Sequence, residues 1–191
     1  MPVEIRKMGA QRGDPERDAT EILIMCWLRD ETDEIRLPVD PFFIARRLGL
    51  RVYLSQLEPG VLGMIRMQPG PNEGRSRPPS VPRYPEIHLD ETDSRDRQRF
   101  ACAHQLGHYL KRAAAGNADE PWEYVDRRED LASQGSDPEE IYANEFAAHL
   151  LMPRDLVQRR KGERSVATLA YEFGVSSDAM NLRLESLHGV R

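Results

Sequence analysis

His104 and His108 stand four residues apart in a stretch, Ser94 to Arg112, whose apolar residues Phe100, Ala103, Gly107 and Leu110 recur on a helical period. On a helix that interval brings both imidazoles to one face, near enough for a single metal ion to bridge them. The pair constrains the fold, because an ion held by two histidines needs a further His, Asp or Glu from another element packed within bonding reach. The interval alone is a weak signal, since surface histidines also fall four apart by chance.

The next helical pattern supplies donors. Asp137-Pro138 reads as N-cap and first helical residue, and the pattern runs to about Leu151 before Pro153 stops it. Glu140 and Asn144 share a face with Ala147, Ala148 and Leu151, side chains small or apolar enough to pack against the first helix. Glu140 would then ligate the ion, and Asn144 would hydrogen-bond a ligand histidine from behind. The same residues allow a second reading: Asp137-Pro-Glu-Glu140 has the spacing of a capping box, in which Glu140 turns back to the helix start. Glu145 and then Glu139 follow as candidates. Glu139 faces away by about 100°, and Glu145 shares its face with Ile141 and Met152.

Elsewhere, Asp14-Pro15 precedes a helical pattern over Ala19 to Leu28, and Asp40-Pro41 opens a short helix over Phe42 to Leu48 that Gly49 ends. Arg51 to Leu54, Val61 to Met67 and Glu86 to Leu89 read as strands of one small three-stranded sheet. The Pro-, Gly- and Ser-rich segment of about 68–85 reads as a mobile loop, and Ala113 to Ser136 as a polar stretch. Val166 to Phe173 and Ser177 to Leu187 close the chain as a C-terminal helical element of about 164–188. For 191 residues, 39% hydrophobic and 31% charged, the expectation is a single, mainly helical α+β domain over 1–191, its metal-site helices at about 94–112 and 138–151.

No apolar run reaches the length of a membrane span, and Met1-Pro-Val-Glu-Ile-Arg-Lys lacks the zones of a secretory signal. Cys26 and Cys102 have no Cys or His partner at metal-finger spacing, so they read as reduced thiols of a cytoplasmic protein. A formal charge of −5, with basic residues interspersed among acids, disfavours direct nucleic-acid binding.

Arg97-Gln-Arg-Phe-Ala-Cys-Ala-His-Gln-Leu-Gly-His-Tyr-Leu110 resembles the active-site helix of the ImmA/IrrE family of metallo-endopeptidases. A second block, ending in Ala143-Asn-Glu-Phe-Ala-Ala-His-Leu-Leu-Met-Pro153, is similar to that family's second signature, and two blocks in the right order are far more specific than one. The likeness extends less distinctly to Leu37 through Gly49 and to the C-terminal helices. It implies a zincin-like fold and one zinc ion held by His104, His108 and Glu140. It also implies a protein substrate of the helix-turn-helix repressor or antitoxin class, cut to relieve repression in mobile elements or stress responses.

The sequence departs from the family at residue 105. In an H-E-x-x-H peptidase the glutamate between the histidines takes a proton from the attacking water and delivers it to the leaving amine. Gln105 cannot accept a proton at neutral pH, so metal binding and fold should survive while hydrolysis nearly stops. Two explanations compete: an inactivating replacement made in an otherwise working site, and a natural pseudopeptidase that acts by binding. The intact state of every other signature position favours the first.

For the substrate, Glu86, Ile87, His88 and Leu89 are expected to form an exposed strand edge on which an extended peptide adds. Tyr109, Tyr124, Tyr142, His149 and Arg128 are candidates to stabilise an oxyanion. The helices around Gly174-Val-Ser resemble a helix-turn-helix, but the second offers Arg183 beside Asp178 and Glu185, so a lid or partner-docking role is the better reading than a DNA reader.

Overall fold

The computed structural model describes residues 13–28, 35–67, 84–116, 121–127, 137–162 and 164–188. Three helices start by one device, an aspartate N-cap followed by proline at the first helical position. Asp14 opens α1 (Pro15–Cys26), Asp40 opens α2 (Pro41–Arg47), and each carboxylate accepts from two backbone N–H groups of the first turn. The strands β1 (Arg51–Ser55), β2 (Val61–Met67) and β3 (Pro85–Asp90) follow, then the long helix α3 (Arg95–Ala114) and a further strand, β4 (Trp122–Arg127). Asp137 opens α4 (Pro138–Leu151), and the chain continues through α5 (Arg154–Arg160), α6 (Val166–Phe173) and α7 (Ser177–His188).

The sheet is mixed, in the order β1-β3-β2-β4, with β1 parallel to β3 and β2 antiparallel to both β3 and β4. It therefore has one strand more than the three expected, and β4 falls inside the segment read as a polar stretch. The order also overturns the edge assignment of Glu86 to Leu89. β3 is a central strand with its backbone paired on both sides, Ile87 and Leu89 are fully buried, and His88 contacts Ser55. A peptide cannot add to a strand whose N–H and C=O groups are already taken. The outer strands are β1 and β4. The loop expected over 68–85 lies outside the described residues up to position 83, as does Arg128.

The α3 helix lies against β2 and β3 on one side and α4 on the other, and α1 packs on α4. The α3 and α4 backbones nearly touch: a Cβ added to Gly107 would lie 2.8 Å from Ala143 Cα. One apolar core runs through the described residues from Ala19 to Leu187. Cys26 and Cys102 are buried in it without a disulfide. Two buried arginines tie the C-terminal helices to this core. Arg99 of α3 donates to the Gly174 carbonyl at 2.8 Å and the Val39 carbonyl at 2.6 Å, and Arg183 of α7 donates to the Met152 carbonyl at 3.0 Å, satisfying groups at the ends of α6 and α4. No helix among the described residues is long and apolar enough to cross a membrane.

Candidate metal centre

His104 and His108 project from one face of α3, as their spacing requires, with their Nε2 atoms 2.9 Å apart and both rings buried. Glu140 reaches them from α4: its carboxylate oxygens lie 3.5 Å from each Nε2. Asp137 caps the helix, accepting from the Glu139 N–H at 2.9 Å, and the Glu140 carboxylate, instead of turning back to the helix start, meets the two histidines and the Tyr124 hydroxyl. Glu139 sits on the far side of His108, 3.5 Å from Nδ1, and Glu145 is exposed and outside the group. Asn144 lies one turn beyond Glu140 and its Oδ1 is 3.0 Å from His104 Nδ1.

The fourth member was not read from the sequence. Asp126 of β4 brings its carboxylate to 3.2 Å from His104 Nε2, and one ligand atom each from His104, His108, Asp126 and Glu140 lie within 4.8 Å of one another. The signal available in the sequence was the alternation of Trp122, Tyr124 and Asp126, which a strand sends to one face. A bulge in β2 at Val61 and Gly63 lies opposite Asp126 and Arg127. Tyr124 stacks on His108 with ring centroids 3.7 Å apart and donates its hydroxyl to Glu140.

These groups fit a cation. A hydrogen on each Nδ1, directed to Asn144 and Glu139, leaves two Nε2 lone pairs facing across 2.9 Å. Such an arrangement is repulsive unless a proton or a metal ion lies between them. The electrostatics agree. The hydrogen bond with His108, aided by Tyr124 and the histidine charges, holds the Glu140 carboxyl down at about 2 against the opposing effect of burial. Burial also opposes a charge on His108, yet hydrogen bonds to Glu139 and Glu140 and the nearby carboxylates raise its pKa overall. Burial and the Glu140 hydrogen bond push the Tyr124 phenol up, so it remains a proton donor.

Gln105 is fully buried beneath β2 and β4, with Nε2 donating to Asp126 Oδ2 at 2.7 Å. Its Oε1 finds no donor among the described residues. A cavity of about 860 Å³ opens beside the cluster, lined near the metal centre by His104, Asp126, Glu140 and Asn144 and farther out by Phe100 and Leu182.

Of the candidates for an oxyanion donor, Tyr124 alone is shown at the cluster. Tyr109 is buried in the core, Tyr142 donates to Asp18 at 2.6 Å, and His149 meets Arg183 at 2.9 Å. Arg183 is itself buried and bonded to Met152, which removes it from any surface that could track a phosphate backbone. The α7 helix and the turn before it, from Val175 to Ser186, instead form a wall of the cavity.

A family model described as the IrrE N-terminal-like domain, a family of peptidases, matches residues 45–185. No curated protein matches the chain.

Proposed function

Since the chain belongs to the IrrE N-terminal-like family of peptidases, we propose that it is a regulatory zinc endopeptidase in architecture, built to bind a helix-turn-helix repressor or antitoxin, with hydrolysis suppressed by Gln105. The observation that carries this reading is the convergence of His104, His108 and Glu140 from two helices, with an amide where the chemistry needs a carboxylate. His104, His108 and Glu140 would hold the zinc ion, and Asn144 would orient His104. When bound, zinc supplies Lewis-acid polarisation of a scissile carbonyl.

The chain's own residues set the rest. Gln105 can orient a water but cannot take its proton, a loss of roughly a hundredfold to ten-thousandfold in rate. The Tyr124 phenol is the donor available to a developing oxyanion. With β3 enclosed, β4 is the outer strand beside the cluster on which an extended peptide would align, with the cavity receiving its side chains. A second reading, a pseudopeptidase that acts by protein binding alone, is favoured by the hydrogen bond that commits Gln105 to Asp126.

The test is to incubate the full chain and its Gln105→Glu variant, each with one equivalent of zinc, with a helix-turn-helix repressor from the same genome. The expected outcome is cleavage by Gln105→Glu at least a hundredfold faster than by the unaltered chain, with both proteins retaining the repressor on a column. Absence of cleavage by Gln105→Glu, with binding retained, would leave the pseudopeptidase reading. Absence of both would overturn the proposed substrate class.

A further inference from the structure

A catalytic zinc site keeps one position open, whereas a structural one is closed by four protein ligands. Four ligands bound at about 2.0–2.1 Å in a tetrahedron lie about 3.3 Å from one another. Here the separations are 2.9 Å between the two imidazoles, 3.2 Å from His104 to Asp126, and 3.5 Å from Glu140 to each histidine. Asp126 approaches His104 as closely as Glu140 does, and each of the four residues offers a ligand atom within 4.8 Å of the others. Asp126 lines the cavity together with His104 and Glu140, whereas Gln105 and His108 do not.

What keeps Asp126 there is residue 105. The Gln105 amide is wholly buried, donates to Asp126 at 2.7 Å, and lies beside Gly63 of β2, where an added Cβ would be in van der Waals contact with it at 3.5 Å. A glutamate at 105 would set two carboxylates at that 2.7 Å, and like charges so close cannot both stay ionised. The amide supplies a donor instead, so Gln105 and Asp126 are a chemically matched pair.

We propose that Asp126 is a fourth protein ligand of the metal, positioned by Gln105, so that this chain forms a closed His-His-Asp-Glu centre with no position left for an attacking water. The inference rests on the metal reading above. It gives Gln105 a positive role as the positioning residue for Asp126, so that an occupied water position adds to the missing base in suppressing hydrolysis. Two carboxylates would neutralise the dication, which suits a buried site.

The experiment uses the full chain loaded with one equivalent of cobalt(II) as a spectroscopic substitute for zinc, together with zinc affinity measured by chelator competition. The unaltered chain should show the intense visible bands of a four-coordinate centre. Asp126→Ala should weaken zinc binding by roughly 10- to 100-fold and admit solvent, lowering and shifting those bands. Gln105→Glu should move the spectrum in the same direction. Asp126→Asn, nearly isosteric, decides the matter if the alanine variant does not fold, and circular dichroism reports folding. Stoichiometric metal in the unaltered chain, with bands and affinity unchanged in the Asp126 variants, overturns the proposal and leaves the three-ligand reading intact. If the unaltered chain takes up no metal, both fall. A Gln105→Glu spectrum identical to that of the unaltered chain overturns the positioning role alone.

Discussion

At the scale of single residues, the candidate centre depends on groups outside the four that could hold an ion. Asn144 fixes the His104 ring by one 3.0 Å hydrogen bond at Nδ1, which turns Nε2 toward His108 and Glu140. Asn144→Ala should therefore weaken zinc binding by about 10- to 100-fold without unfolding the protein, while Asn144→Asp, which keeps an acceptor, should retain most of the affinity. Chelator competition reads the difference, and equal affinities for all three proteins would show the bond to be incidental. His104, His108 and Asn144 were legible in the sequence because helical spacing is local geometry. Glu140 ranked first among the three glutamates there, but whether its carboxylate turns back to the helix start or inward to the histidines depends on the packing of α4 on α3, which spacing does not carry.

At the scale of elements, the separation of α3 and α4 sets the metal-centre geometry, and Gly107 sets that separation. Replacing a helical glycine with alanine ordinarily stabilises a helix by up to about 1 kcal/mol. In Gly107→Ala the new methyl carbon would lie 2.8 Å from Ala143 Cα and 3.3 Å from its carbonyl oxygen, backbone atoms that cannot rotate away. The overpacking should win, lowering stability by about 1–3 kcal/mol and weakening metal binding as Glu140 is drawn from the histidines. Urea unfolding with and without zinc measures both effects, and a Gly107→Ala protein as stable as the parent would refute the tight crossing. Periodicity marked these two helices well. It missed β4, where the alternation of Trp122 and Tyr124 is short and ends on the carboxylate of Asp126, and strand state comes from pairing with β2. It marked β3 as a strand, but four residues of a strand carry no information about which neighbours will flank them, so its central place was not legible.

At the scale of the whole molecule, elements distant in sequence meet around His149 of α4. Arg183 of α7 places a guanidinium nitrogen 2.9 Å from Nδ1, Arg154 of α5 bonds Glu16 of α1 at 3.2 Å, and Glu16 lies 3.8 Å from the same Nδ1. Burial foremost, then the Arg183 and Arg154 cations, push the His149 pKa down to about 4, against the opposing pull of Glu16 and Asp14. In the unfolded chain the ring titrates near its ordinary 6.5. The unfolded state therefore binds the extra proton first as pH falls. The stability that neutral His149 contributes is complete above about pH 6.5 and is lost between there and about pH 4. At pH 5 the loss should be on the order of 2 kcal/mol. Urea unfolding of the metal-free protein at pH 7.5 and pH 5, beside His149→Gln, isolates the contribution, because the variant keeps an acceptor for Arg183 but has nothing to protonate. The drop in stability between the two pH values should shrink by about that amount in the variant. An equal drop in both proteins would place the acid sensitivity in other groups and detach it from this junction of α1, α4, α5 and α7.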